Sequence, residues 1–107
     1  MIEMVDGVLA KESSRYKDKS YLYWWDIDPQ FLERLRYASF LGLLRKDSGH
    51  KCLIDTKILI PLLTPERQST RKHKSWGLRV LVGRESEVMI DSPKESPPPF
   101  IKVTWIL

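Results

Sequence analysis

Residues 28–46 have the sequence DPQFLERLRYASFLGLLRK, and this stretch predicts the one long helix of the chain. Asp28 is a favourable N-cap, because its carboxylate can accept hydrogen bonds from the free amides of the first turn. Pro29 suits the first helical position, where its missing N–H costs nothing. At the other end, Arg45 and Lys46 lie where positive charge opposes the negative end of the helix dipole.

The predicted helix is apolar on two opposite sides. At about 100° per residue, one stripe contains Phe31, Leu35, Ala38 and Gly42. The other side carries Tyr37, Phe40 and Leu44. Such a helix is either enclosed in a core or shared with a partner, and in a chain this short both interpretations stay open. In the second interpretation, Tyr37, Phe40 and Leu44 form a partner interface.

Length and composition predict one intracellular domain. A chain of 107 residues corresponds to a single domain, residues 1–107. Its 42% hydrophobic and 30% charged residues are typical of a folded globular protein. No apolar run approaches the roughly 18 residues of a membrane span, and the first residues lack the pattern of a secretory signal. The single Cys52 excludes an internal disulfide and fits a reducing compartment.

The rest of the chain predicts short strands and turns. The segments with strand-like patterns are 21–27, 51–60, 76–83, 87–90 and 100–107. A second helix beginning at Asp55 is the alternative for part of the 51–60 segment. The predicted fold class is therefore α+β, with one long helix packed on a small, mostly antiparallel sheet of about five strands.

The strand at 21–27 is unusually aromatic. Alternation places its odd-numbered residues on one face, and these are Tyr21, Tyr23, Trp25 and Ile27. The other face carries Leu22, Trp24 and Asp26. Two adjacent tryptophans on opposite faces indicate that both faces of this strand contact something.

The charge of the chain, +4 in total, is unevenly distributed. Between residues 66 and 79 there are five basic residues and one acid, whereas residues 85–95 contain four acids and one lysine. Lysine and arginine neutralise phosphates, and an aromatic ring can stack on a base. The candidate nucleic-acid-binding residues are Arg67, Arg71, Lys72, His73, Lys74 and Trp76. An ordinary solvated loop is the alternative.

The charge pattern predicts a non-enzymatic nucleic-acid-binding module, with RNA and DNA equally possible. The alternative function is an assembly subunit that docks on another protein through its two-sided helix and aromatic strand. The sequence predicts no metal site and no cofactor, because a structural zinc site needs four ligands and the chain has one cysteine and two histidines.

A small nuclease that uses His73 is a weaker alternative. Arg67 and His73 are separated by five residues, a spacing that resembles the Arg-x4–6-His motif of HEPN-type ribonucleases. That family is all-helical, whereas this segment lies between two predicted strands. The non-enzymatic interpretation is therefore preferred.

Overall fold

The predicted long helix is wrong, because helix α1 of the computed structural model spans only Pro29–Leu35. Its beginning is as expected: Oδ1 of Asp28 accepts a hydrogen bond from the amide of Phe31 at 2.7 Å. After α1 the chain turns and continues as a strand, Phe40–Arg45. The carbonyl oxygen of Gly7 accepts hydrogen bonds from the amides of Ser39 and Phe40 and so starts this strand.

The structure describes residues 4–17, 19–69 and 74–107, and in these ranges it contains eight strands and two short α-helices. The strands are β1 (Met4–Val5), β2 (Val8–Ser13), β3 (Tyr21–Ile27), β4 (Phe40–Arg45), β5 (Lys51–Asp55), β6 (Trp76–Leu81), β7 (Glu87–Ile90) and β8 (Phe100–Lys102). Helix α2 spans Thr56–Leu59, and 3-10 turns follow at Ile60–Leu62 and Pro65–Arg67.

The strands form two four-stranded sheets instead of the single sheet that was predicted. The N-terminal sheet has the order β1-β2-β4-β5, in which β2 and β4 are parallel and the other pairs antiparallel. The C-terminal sheet has the order β3-β6-β7-β8 and is antiparallel throughout. The coarse class is α+β, but the arrangement of one helix on about five strands is wrong.

The buried side chains of both sheets form one hydrophobic cluster. The N-terminal sheet contributes Leu9, Leu41, Leu43, Cys52 and Ile54. The C-terminal sheet contributes Tyr23, Trp25, Ile27, Trp76, Leu78, Val80, Val88 and Ile90. Alternation of side chains along each strand leaves the remaining residues on the two outer faces of the sheets.

The C-terminal segment connects the two sheets. Strand β8 pairs with β7, and Ile106 then exchanges two backbone hydrogen bonds of 2.8 Å with Lys51 at the edge of the N-terminal sheet. Between these contacts the ring of Trp105 stacks on the ring of Trp25, with 6.1 Å between centroids. The predicted pairing of the C-terminal segment in a sheet is thus confirmed for Phe100–Lys102.

Within the described part of the chain, no helix has both the length and the apolar character needed to cross a lipid bilayer.

Candidate functional site

A groove of about 760 Å³ lies on the outer face of the C-terminal sheet. We call it the aromatic groove, and its lining consists of Tyr16, Tyr21, Trp24, Asp26, Arg67, Ser69, Ser75, Gly77, Arg79 and Asp91. Its floor is formed by β3 and β6, whose other side chains are buried in the core. The volume falls within the range of small-ligand sites in proteins, roughly 300 to 1,000 Å³.

Three aromatic rings form one wall of the groove. The ring of Tyr21 meets the ring of Tyr16 edge-on at 5.2 Å and that of Trp24 at 5.1 Å, tilted by 56°. Alternation along the strand predicts that Tyr21 shares one face with Tyr23, whose side chain is buried. The pairing of β3 with β6 shifts register between these two residues, and Tyr21 therefore lines the groove.

The position of Trp24 is determined by two neighbours. Its indole covers Gly77 so closely that a Cβ atom on residue 77 would lie 2.5 Å from Cζ2 of the ring. Its Nε1 donates a hydrogen bond of 2.8 Å to Oδ1 of Asp26. Both contacts are made within the protein itself, so they hold the ring in place as one side of the groove.

Asp91 lies on the side of Gly77 opposite to Asp26 and forms an ion pair with Arg79. Nη2 of Arg79 donates to Oδ1 of Asp91 at 2.6 Å, and the guanidinium carbon lies 5.5 Å from the centroid of Trp24. The amide of Asp91 donates a hydrogen bond of 2.8 Å to the carbonyl oxygen of Gly77, and this bond fixes the backbone of Asp91 next to Gly77. The groove therefore contains the carboxylates of Asp26 and Asp91 on either side of a residue without a side chain.

Arg67, a predicted phosphate contact, is occupied by other partners. Its Nε and Nη2 donate to the two carboxylate oxygens of Glu95 at 2.6 and 3.2 Å, and its Nη1 donates to the carbonyl oxygen of Leu62 at 2.9 Å. The hydrogen bond from Arg67, followed by one from Ser92, lowers the pKa of Glu95. Arg67 thus closes the groove as a structural residue instead of offering an unpaired cation.

Two residues of the predicted basic loop, which comprises residues 67–76, lie in the groove on either side of its basic cluster. The amide of Ser69 donates to the carbonyl oxygen of Ser75 at 2.8 Å, and both residues line the groove. Lys74 is exposed. The predicted contacts Arg71, Lys72 and His73 lie outside the described residues.

Trp76, which the sequence suggests as a possible stacking platform, is buried in the structure. Only 4% of Trp76 is exposed, and its Nε1 donates to the carbonyl oxygen of Thr64 at 2.7 Å. Trp76 begins β6 on the core side, because it alternates with the groove residue Gly77. Among the residues that the structure describes, the aromatic rings at this site are those of Tyr16, Tyr21 and Trp24. Alternation in the sequence places Trp24 and Asp26 together on the second face of β3, and this is the local signal for the site.

The predicted partner residues do not share a helix face. Tyr37 lies in the turn after α1 and is 82% exposed. Phe40 and Leu44 lie on the outer face of the N-terminal sheet, where Phe40 pairs with Asp55 and Leu44 with Lys51. The predicted helix face is therefore absent, since α1 ends before all three residues. A partner interface at these residues stays a prediction.

The cysteine and two aspartates that could act as a nucleophile or as metal ligands have structural positions in this fold. Among the residues that the structure describes, no group of three His, Cys, Asp or Glu side chains is placed to hold a metal ion. Cys52 is buried, and burial raises the pKa of its thiol to about 12, which keeps the sulfur protonated at neutral pH. Asp28 caps α1 and Asp55 caps α2, so both carboxylates have structural roles.

Comparison of the chain with models of known protein families, with curated proteins and with solved structures finds no match. The features of this chain that bear on its function are therefore the chemistry of the aromatic groove and the positive charge of residues 67–76.

Proposed function

We propose that this protein is a small, non-enzymatic nucleic-acid-binding module. The observation that carries the proposal is the position of the aromatic groove, because its lining includes Ser69 and Ser75, which flank the basic residues Arg71, Lys72 and Lys74 in the sequence. Nucleic-acid-binding proteins combine the same two elements, cations that follow the phosphate backbone and aromatic rings on which bases stack.

The cations supply the affinity in this proposal. Arg71, Lys72 and Lys74 are three positive charges within four residues. Each neutralised phosphate releases condensed counterions, so affinity falls steeply with salt concentration. With roughly three to five phosphate contacts to a single strand, the slope of log K against log salt concentration is about −2 to −3.5.

The aromatic rings supply a second set of contacts. Tyr21 and Trp24 are only half-buried and face the groove, so their surfaces are available to a base. Stacking of one base on an aromatic side chain contributes about 1–3 kcal/mol and tolerates any base sequence.

Charge reversal tests the proposal. Arg71→Glu with Lys72→Glu should lower affinity for a single-stranded oligonucleotide at least about 30-fold, because attraction becomes repulsion at two phosphates. Lys51→Glu with Lys57→Glu changes the net charge equally at exposed sites on β5 and α2, and should cost only a few-fold. Fluorescence anisotropy measures both, and circular dichroism checks the fold.

Two results would overturn the proposal. One is the absence of binding to any single- or double-stranded RNA or DNA at low salt. The other is an equal loss of affinity in the two double variants, which would indicate a general charge effect and no defined contact surface.

A second candidate function is self-association through the outer face of the N-terminal sheet. Phe40 and Leu53 on this face are 37% and 48% exposed, and Gly42 lies between the side chains of Leu53 and Val8. Exposed apolar clusters of this kind occur at protein interfaces. Sedimentation of the wild type and of Phe40→Ser with Leu53→Ser tests this: a dimeric wild type and a folded monomeric variant support it, and a monomeric wild type at all concentrations excludes it.

A further inference from the structure

We infer that the aromatic groove binds one unpaired nucleobase that carries an exocyclic amine, which means adenine, cytosine or guanine in preference to uracil or thymine. The inference rests on the proposed function and adds to it the part of the nucleic acid that enters the groove. In this inference the base stacks on Tyr21 and Trp24, and its exocyclic amine donates a hydrogen bond to Asp26.

The charges of the groove argue against a phosphate inside it. Each guanidinium group in the described part of the lining is paired with a carboxylate, Arg79 with Asp91 and Arg67 with Glu95, so neither pair has a net charge. Asp26 adds a negative charge at the wall that no ion pair among the described residues balances. Its carboxylate would repel a phosphate, whereas a neutral, flat and polar group such as a base would not be repelled. Phosphates therefore belong at the basic loop and the base in the groove.

The second oxygen of Asp26 gives the groove its preference. Oδ1 accepts from Nε1 of Trp24, and within the described residues the structure records no donor for Oδ2. A carboxylate can only accept hydrogen bonds, so its ligand must present an N–H group. Adenine, cytosine and guanine present an exocyclic amine. Uracil and thymine present one ring N–H between two carbonyl oxygens, which a carboxylate would repel.

The aromatic wall restricts the ligand to an unpaired base. Stacking on Tyr21 or Trp24 requires an open face, and in a duplex neighbouring bases cover both faces of each base. Trp24 is held by Asp26 and by the close approach to Gly77, so a base meets a ring that is already oriented. Preorganisation of this kind lowers the entropic cost of binding.

The test compares labelled decamers of dA, dC and dT and a blunt dA·dT duplex by fluorescence anisotropy at one low salt concentration. The wild type should bind dA and dC at least about five-fold more tightly than dT, and the duplex more weakly than the dA and dC strands. Asp26→Asn keeps an acceptor for Trp24 but adds an amide donor that suits a carbonyl oxygen. In this variant the preference should fall below about two-fold, with affinity for dT unchanged or increased.

The matched control is Glu12→Gln, which removes the same charge from an exposed residue of β2 and should retain the wild-type preference. Equal affinity of the wild type for dA, dC and dT, or an Asp26→Asn variant with an unchanged preference, would overturn the assignment of the base and leave the proposed function standing. Tighter binding of the duplex would also overturn it. If no oligonucleotide binds at all, the proposed function itself fails.

Discussion

The indole of Trp24 lies directly over the backbone of Gly77, where a single added Cβ atom would be 2.5 Å from Cζ2 of the ring. The two residues lie on neighbouring strands of the C-terminal sheet, and residue 77 pairs with Asp26, the hydrogen-bond acceptor of the same indole. The absence of a side chain at position 77 is therefore what allows the ring to lie flat and form the side of the groove.

We predict that Gly77→Ala destabilises the protein by about 1–3 kcal/mol, because the indole must move away from a position set by Asp26. Urea denaturation measures the change. In a Trp24→Ala background the same substitution should cost less than about 0.5 kcal/mol, since the clashing ring is absent. Equal costs in the two backgrounds would show that the contact with Trp24 is not the cause.

The C-terminal segment should contribute to stability through Trp105. Its ring stacks on Trp25, lies 4.0 Å from the guanidinium of Arg45, and donates through Nε1 to the carbonyl oxygen of Glu85 at 2.6 Å. Trp105→Ala should lower the free energy of unfolding by about 2–4 kcal/mol, somewhat less than for a fully buried tryptophan. Removal of Leu107, which is 85% exposed, should cost less than about 0.5 kcal/mol. Equal melting temperatures of the wild type and Trp105→Ala would contradict this role.

The ion pair of Arg67 and Glu95 should make stability depend on acid pH. The hydrogen bond from Arg67 lowers the pKa of Glu95 in the folded state. A carboxylate with a lowered pKa contributes stability that is complete above the pKa of the unfolded chain and is lost as the pH falls through the folded value.

Glu95→Gln should therefore melt at a lower temperature than the wild type near neutral pH, and the difference should vanish in acid. Thermal unfolding from roughly pH 7 to pH 3 measures it. Glu85→Gln, at an exposed position of the turn before β7, serves as the control and should show no such convergence. A difference that is constant over the whole range would contradict the assigned ion pair.

Cys52 should be unreactive in the folded protein. Its side chain is buried, and burial raises the pKa of the thiol to about 12, so little thiolate exists at neutral pH. A thiol reagent such as dithiobisnitrobenzoate should react roughly a hundredfold or more faster in denaturant than in buffer. The chain has one cysteine, so the absorbance change reports this residue alone. Rapid stoichiometric reaction in buffer would show that Cys52 is accessible.

Local sequence signals predicted several elements well. The cap at Asp28 with Pro29 marks the start of α1, and the aromatic segment 21–27 is strand β3 with the predicted bounds. The alternating segment beginning at Trp76 is β6, and Glu87–Ile90 is its antiparallel neighbour β7. Each of these depends on a feature within a few residues of chain, such as a capping carboxylate or a period of two.

The segment from Asp55 shows where a local signal was present but misjudged. The prediction preferred a strand over 51–60 and kept a helix from Asp55 as the alternative. The structure ends β5 at Asp55, whose Oδ1 accepts from the amide of Lys57 and starts α2. The branched apolar residues after Asp55 favour a strand, but the N-cap at Asp55 starts a helix there instead.

The end of α1 and the division into two sheets were decided by tertiary structure. Phe40–Arg45 is almost continuously apolar, and periodicity cannot distinguish a helix from a buried strand in such a run. Its backbone pairs with β5 across a short turn on one side and with β2 on the other, and the parallel contact with β2 joins segments that are distant in sequence. The aromatic groove depends on the same kind of contact, because Trp24, Gly77 and Asp91 meet only when β3, β6 and β7 pair. The sequence by itself therefore determined where α1, β3, β6 and β7 begin and where positive charge concentrates, while long-range backbone pairing decided which side chains share a face.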